Sequence, residues 1–171
     1  MRSSVRQSML KPPEDQIGVV IGSQMLLARS ERAAVVLHTL IGYPEGITAE
    51  LGLHLRQAAA GRRLAADLRD ESGLRRFRIA FAFGEPTQPL PLSAPLGSGR
   101  EVGWYEQTAS GTDLSYTSRL WISPYPRDGS LLVSCDWGEQ DIVTTTTRLV
   151  VPGPDEVEQR TVRLWEGLGD S

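Results

Sequence analysis

The sequence predicts a single all-β domain, an antiparallel two-sheet sandwich closed by a short C-terminal helix. Three observations carry that reading. Several runs alternate apolar and polar residues with a period of two, as half-buried strands do. Gly, Pro, Ser and Asp punctuate those runs at short intervals. Apolar residues at helical spacing close the chain near its C-terminus. A length of 171 residues suits one hydrophobic core that needs neither disulfides nor metals. The expected domain covers residues 15–166, with 1–14 a disordered arm ending in Pro12-Pro13 and 167–171 a tail.

The first strand region is Ile17 to Ile21 and then Met25 to Ala28, interrupted by Gly22-Ser23. The next hairpin gives the clearest signal. Ala33 to Tyr43 is rich in aliphatic and β-branched residues, and Ile47 to Arg56 alternates, with Ile47, Ala49, Leu51, Leu53 and Leu55 on one face. Pro44-Glu45-Gly46 between them suits a three-residue loop in which Gly46 takes the left-handed conformation. That loop pairs Tyr43 with Ile47, Ile41 with Ala49, Leu37 with Leu53 and Val35 with Leu55, matching inward residues to inward residues.

Residues 57–73 read either as loop or as a short amphipathic helix over Arg62 to Glu71, with Leu64 and Leu68 four apart. Leu74 to Phe83 alternates again, with Phe77, Ile79, Phe81 and Phe83 inward. The Pro-, Gly- and Ser-rich stretch 85–100 is a long loop. Val102 to Thr108 and Leu114 to Ser123 are strands joined around Ser110-Gly111. Leu131 to Trp137 follows a turn at Pro126-Arg127-Asp128-Gly129, and Ile142 to Val151 carries a β-favouring threonine run. After Pro152-Gly153, Pro154 and Asp155 suit a helix start, and Val157, Thr161, Leu164 and Trp165 recur at helical spacing. Seven or eight short antiparallel strands point to an immunoglobulin-like sandwich without the Cys…Trp…Cys framework; a jelly roll or partly open barrel is the alternative.

Composition narrows function more by exclusion than by assignment. A net charge of −3 gives no global attraction to nucleic acid or to an anionic membrane. No stretch approaches the roughly 20 apolar residues of a spanning helix. The N-terminal residues carry no signal-peptide apolar run, and Cys135 is the lone cysteine, so a cytoplasmic, reducing setting is expected. Lys11 is the only lysine among the 18 basic residues, a bias that fits GC-rich coding such as that of actinomycetes. There is no G-x-S-x-G elbow, no phosphate loop and no metal-ligand spacing, so no catalytic residue, metal or cofactor is assigned. No aromatic residues alternate with Arg75, Arg76 and Arg78 in the manner of a nucleic-acid platform, since Phe77 between them is read as inward, so they read as a solvated strand face.

The candidate residues instead suggest an interface. His38 and His54, the only histidines, fall on the outer face of the hairpin as diagonal neighbours, with His38 opposite Gly52 and Glu50 on the same face. Val36 and Leu40 lie there too, so the strand is apolar on both sides and needs cover. That cover is the C-terminal helix, the 57–73 segment, or a partner, whether a second copy of the chain or another protein. Trp121 alternates with Thr117, Arg119 and Ser123 and is expected to be exposed. These five residues (Val36, His38, Leu40, His54 and Trp121) are the interface candidates of a non-enzymatic protein-interaction or structural module. The alternative is a small-ligand or carbohydrate-binding sandwich, with or without hydrolytic activity, using Trp121, nearby tyrosines and the 85–100 loop.

The order of several blocks resembles a family of uncharacterised actinobacterial hypothetical proteins. The blocks are Met25-Leu26-Leu27-Ala28-Arg29, then Tyr43-Pro44-Glu45-Gly46, then Arg76-Phe77 with Phe81-Ala82-Phe83-Gly84, and Trp121-Ile122-Ser123-Pro124 leading through Gly129 to Trp137. The resemblance spans residues 17–165. Where that group tends to have Trp-Pro and a Gly-Ile-Pro turn, this chain has Trp137-Gly138 and Asp141-Ile142. The resemblance implies no activity, cofactor or site residue.

Overall fold

The structure, a computed structural model, describes residues 11–58, Leu64, 77–84 and 102–167. The expected Arg62–Glu71 helix, apart from Leu64, and the expected 85–100 loop lie outside the described residues, as does most of the 1–14 arm. In chain order come β1 (Gln16–Ile17), β2 (Val19–Arg29), β3 (Ala33–Tyr43), β4 (Gly46–Leu55) and β5 (Arg78–Ala82). They are followed by β6 (Gly103–Gly111), β7 (Ser115–Ser123), β8 (Ser130–Trp137), β9 (Ile142–Val150), α1 (Pro154–Arg160) and β10 (Val162–Arg163). Every pairing is antiparallel. A five-stranded sheet has the order β2-β3-β4-β7-β6, a three-stranded sheet the order β5-β8-β9, and β1 and β10 make a small ribbon. The sheets are not closed into a barrel, and the all-β sandwich read from the sequence is the observed class.

One core lies between the two larger sheets. The five-stranded sheet supplies Val35, Leu37, Leu40, Ile47, Ala49, Leu51, Leu53, Leu120 and Ile122. The three-stranded sheet answers with Ile79, Phe81, Leu131, Val133, Cys135, Trp137, Ile142 and Leu149. Phe81 and Trp104 meet edge-to-face across the gap, with ring centroids 6.0 Å apart. Leu64 and Val157 of α1 are buried in the same core. On the far face of the three-stranded sheet, Arg78 donates to both carboxylate oxygens of Asp136 at 3.0 and 2.8 Å. Those hydrogen bonds, helped by a third from Thr144, hold the Asp136 carboxyl below the usual carboxylate range.

The alternation of β4 is observed as expected: Ile47, Ala49, Leu51 and Leu53 all point into the core and are no more than 3% exposed. Its pairing with β3 is not. Tyr43 faces Gly46, Leu40 faces Ala49 and Leu37 faces Leu51, with a bulge that leaves His38 unpaired. The loop therefore holds two residues, Pro44 and Glu45, and Gly46 is the first residue of β4. Gly46 does not take the expected left-handed conformation; the described glycines that do are Gly84, Gly129 and Gly167.

The physical reason for the different register is Thr39. An unbroken alternation from Val35 and Leu37 would drive the Thr39 side chain into an apolar core, where an unpaired hydroxyl costs about 1–3 kcal/mol. The bulge at His38 inserts one residue, keeps Thr39 off the inner face, and delivers Leu40 to the core with no exposed surface. Ile41 and Tyr43 consequently turn outward, and Gly42 turns inward, where a Cβ would sit 3.2 Å from the Tyr125 ring.

Two other boundaries move. The turn between β6 and β7 falls at Thr112–Leu114 rather than at Ser110-Gly111, because the Thr112 hydroxyl accepts the N–H groups of Leu114 and Ser115. The C-terminal helix ends at Arg160. Val162 pairs with Ile17, and the Leu164 N–H donates to the Asp15 carbonyl, so the chain leaves the helix for the short β10 strand, and Leu164 and Trp165 lie in the turn that follows it instead of on a helical face. Trp165 is 67% exposed rather than docked.

Gly46 has a packing role in place of the turn role. A Cβ there would collide with the Ile122 carbonyl oxygen and lie 2.7 Å from Cζ2 of Trp121. Gly46→Ala is therefore expected to destabilise the fold by about 1–3 kcal/mol through overpacking, measured as a lower midpoint of denaturant unfolding. An unchanged midpoint would show that Trp121 can move aside without cost.

Candidate functional site

The outer face of the five-stranded sheet carries all the interface candidates except Leu40. Leu40 was expected outward; the bulge turns it into the core, so it presents nothing to a partner. Trp121 does lie on the outer face, opposite Thr48, but it is 1% exposed. Tyr43 packs edge-on against it with ring centroids 5.9 Å apart, and the missing side chain of Gly46 admits its six-membered ring. Both partners come from the hairpin end of β3 and β4, about 75 residues away in sequence.

The cover over this half of the face is local. At Gly18 a Cβ would come within 2.6 Å of Ile41 Cγ2 and 2.7 Å of Tyr43 Cζ, so only glycine lets the chain pass so closely into β2. Just before it, the Gln16 amide donates to the Glu45 carboxylate at 3.4 Å. Lys11 is near enough to Tyr105, the register neighbour of Trp121, to act on its hydroxyl electrostatically. The residues before β2 thus pass close to Ile41 and to Tyr43, which itself packs on Trp121. The C-terminal helix, one of the expected covers, instead packs Val157 into the main core.

The outer side of β2, at the edge of the sheet, and the part of the face around Val36 are open. Leu26 of β2 pairs with Val36 of β3, and Val20 pairs with Ile41. Leu26 is 51% exposed and Val20 is 61% exposed, with Val36 and Ile41 half-buried between the strands. Next to Val36 lie Gly52 and then the two imidazoles, His38 and His54, with ring centroids 5.7 Å apart in an edge-to-face arrangement. The sequence placed the histidines as diagonal neighbours; the structure brings them together, though through the bulge and not through a regular ladder. Glu50 and Arg119 sit opposite each other further along the same face. Beside His54, a shallow hollow is lined by Arg29, Glu31, Ala34, Leu55 and Arg56.

Several of the aromatics expected to serve a carbohydrate-binding surface are withdrawn from solvent. Trp121, Tyr116 and Tyr125 are all buried. Tyr125 donates its hydroxyl to the Pro152 carbonyl at 2.7 Å, and burial pushes its pKa up to about 12. Tyr116 and Ser118 both donate to the Glu106 carboxylate at 2.7 Å. These hydroxyls close contacts between elements and offer no free edge to a ligand. Among the described residues no three or more His, Cys, Asp and Glu side chains cluster, and no helix is long and apolar enough to cross a membrane.

Cys135 faces the core on β8 and is 1% exposed. Burial, with a smaller effect from the Asp136 charge, pushes its thiol up to about 11. At pH 8 the folded chain is thus expected to leave a disulfide-exchange reagent unreacted over minutes, and to release one equivalent of the chromophore once denatured. Immediate stoichiometric reaction of the native protein would contradict the placement of β8. Comparison of the chain with protein-family models, with curated proteins and with solved structures finds no match.

Proposed function

We propose that this domain is a non-enzymatic module that binds another protein, or a second copy of itself, through the outer side of its edge strand β2 and the neighbouring open part of the sheet face. The observation that carries this reading is the pair of aliphatic cross-strand contacts, Leu26 with Val36 and Val20 with Ile41, at the edge of the five-stranded sheet. Two of these four side chains are more than half exposed although their strand neighbours are packed. Paired aliphatic side chains left in water favour burial against a partner, at about 25 cal/mol per Å² of apolar area.

Strand order supports an immunoglobulin-like reading of the scaffold. With β2 set aside, β3-β4-β7-β6 and β5-β8-β9 have the order of the seven strands of a constant-type immunoglobulin domain. Sandwiches of that order commonly present a sheet face to partners, an argument by analogy of fold. We place the module in a bacterial cytoplasm, a reading supported by the lone buried cysteine and the arginine-rich basic set.

Photo-crosslinking from a single replaced side chain tests the surface. A crosslinker at Leu26 is expected to yield one discrete adduct in the producing cells. A crosslinker at Val143, which is 78% exposed on β9 of the other sheet, is expected to yield none. An adduct of twice the chain mass identifies self-association. Diffuse or equal labelling from both positions would remove the interface from this face.

A further inference from the structure

His38 and His54 are the only histidines of the chain, and the fold turns both imidazoles over one glycine. A Cβ built on Gly52 would collide with Nε2 of His38 and lie 2.9 Å from Nε2 of His54. Both nitrogens therefore converge on the small volume that a side chain at position 52 would fill. Their separation cannot exceed the sum of two such short contacts. Gly52 lies mid-strand in β4, between β3 and β7, facing Val36 on one side and Thr117 on the other. A glycine inside a central strand weakens it and marks a place where something approaches the backbone closely. Here the approaching groups are two nitrogen donors.

The bulge creates this meeting. His38 is the residue left without a partner between Leu37–Leu51 and Thr39–Glu50. A bulge re-aims the side chain of the extra residue, and here the His38 imidazole comes to lie over Gly52. The same distortion that spares the core a threonine thus assembles the histidine pair.

We propose that His38 and His54 form a two-imidazole site for a divalent transition-metal ion, seated above Gly52 on the outer face of the five-stranded sheet. A pair of imidazole nitrogens selects ions that prefer nitrogen ligands, zinc, nickel and copper(II), over magnesium or calcium, which prefer oxygen. Coordination at about 2.0–2.1 Å requires both rings to lean together over the glycine and turn their Nε2 atoms toward one point. Among the described residues no third His, Cys, Asp or Glu completes a cluster, so the site offers two protein ligands there and leaves the other positions to exchangeable ligands such as water. That ligand set makes an exchangeable surface site and not a structural one. The metal site stands independently of the protein-binding reading, since Leu26 and Val20 are not ligands.

The test uses the untagged full chain, stripped with a chelator and titrated calorimetrically with zinc and then with nickel. One ion per chain is expected, with magnesium giving no heat of binding. His38→Gln and His54→Gln are each expected to weaken zinc binding by about tenfold or more, at least the loss that follows removal of a supporting shell. Gly52→Ala keeps both imidazoles but fills the space between them, and is expected to weaken binding similarly. Circular dichroism of each stripped variant checks that it is folded, and the two glutamine variants decide the matter if the alanine variant is not. A second readout is the imidazole proton spectrum: nickel should broaden the resonances of both histidines at the same ion concentration. Absence of binding, equal affinity in the glutamine variants, or broadening of one histidine alone would each overturn the site.

Discussion

The ladder between β3 and β4 is the constraint on which the rest of this domain depends. β4 lies in the middle of the five-stranded sheet, and its four inward residues leave almost no surface exposed. A slip of one residue would turn Ile47, Leu51 and Leu53 to the outer face, at a cost of about 1.5–3 kcal/mol for each. Such a slip is a large fraction of the net stability of any small domain. The register is therefore held from the β4 side, and β3 must conform to it. It does so by bulging at His38.

That bulge divides the outer face into two regions with different fates. Beyond it, toward the hairpin loop, Ile41 and Tyr43 turn outward, Tyr43 and Gly46 crowd around Trp121, and Gly18 packs against Ile41 and Tyr43. Before it, Val36 keeps its outward direction beside the exposed Leu26, and the imidazole of His38 comes to meet that of His54. The covered region fastens the sheet to the incoming chain at Gly18. The open region is where the structure leaves aliphatic surface and nitrogen donors in solvent. One local irregularity thus links core packing to both proposals made for the surface.

Much of this was legible in the sequence where the signal was local. The period-two runs gave the faces of β4, β5 and β8, with Ile79 and Phe81 inward and Leu131, Val133 and Cys135 beside them. The outward placement of Val36 and the neighbourhood of the two histidines were likewise legible from alternation, whereas Leu40, Ile41 and Tyr43, beyond the bulge, were not. What escaped depended on contacts distant in sequence. Gly46 looked like a turn residue, and only the Trp121 ring and the Ile122 carbonyl show why it must be small. Trp121 was on the expected face, but its burial depends on Tyr43 and Gly46 of another hairpin. Leu164 and Trp165 share helical spacing with Val157, yet the pairing of Val162 with Ile17 ends the helix before them and leaves both in a turn. The displaced register had a visible cause: Thr39 stood in the inward series with Val35 and Leu37, a polar residue where the core tolerates none.

Cross-strand nuclear Overhauser contacts in the β3–β4 hairpin measure the central claim directly. The bulged register predicts backbone contacts between Val36 and Gly52 and between Thr39 and Glu50, with His38 lacking a cross-strand partner. Contacts between Ile41 and Ala49 and between Leu37 and Leu53, with Thr39 on the inner face, would contradict the account. They would undo the placement of Leu40, Tyr43 and the histidine pair together.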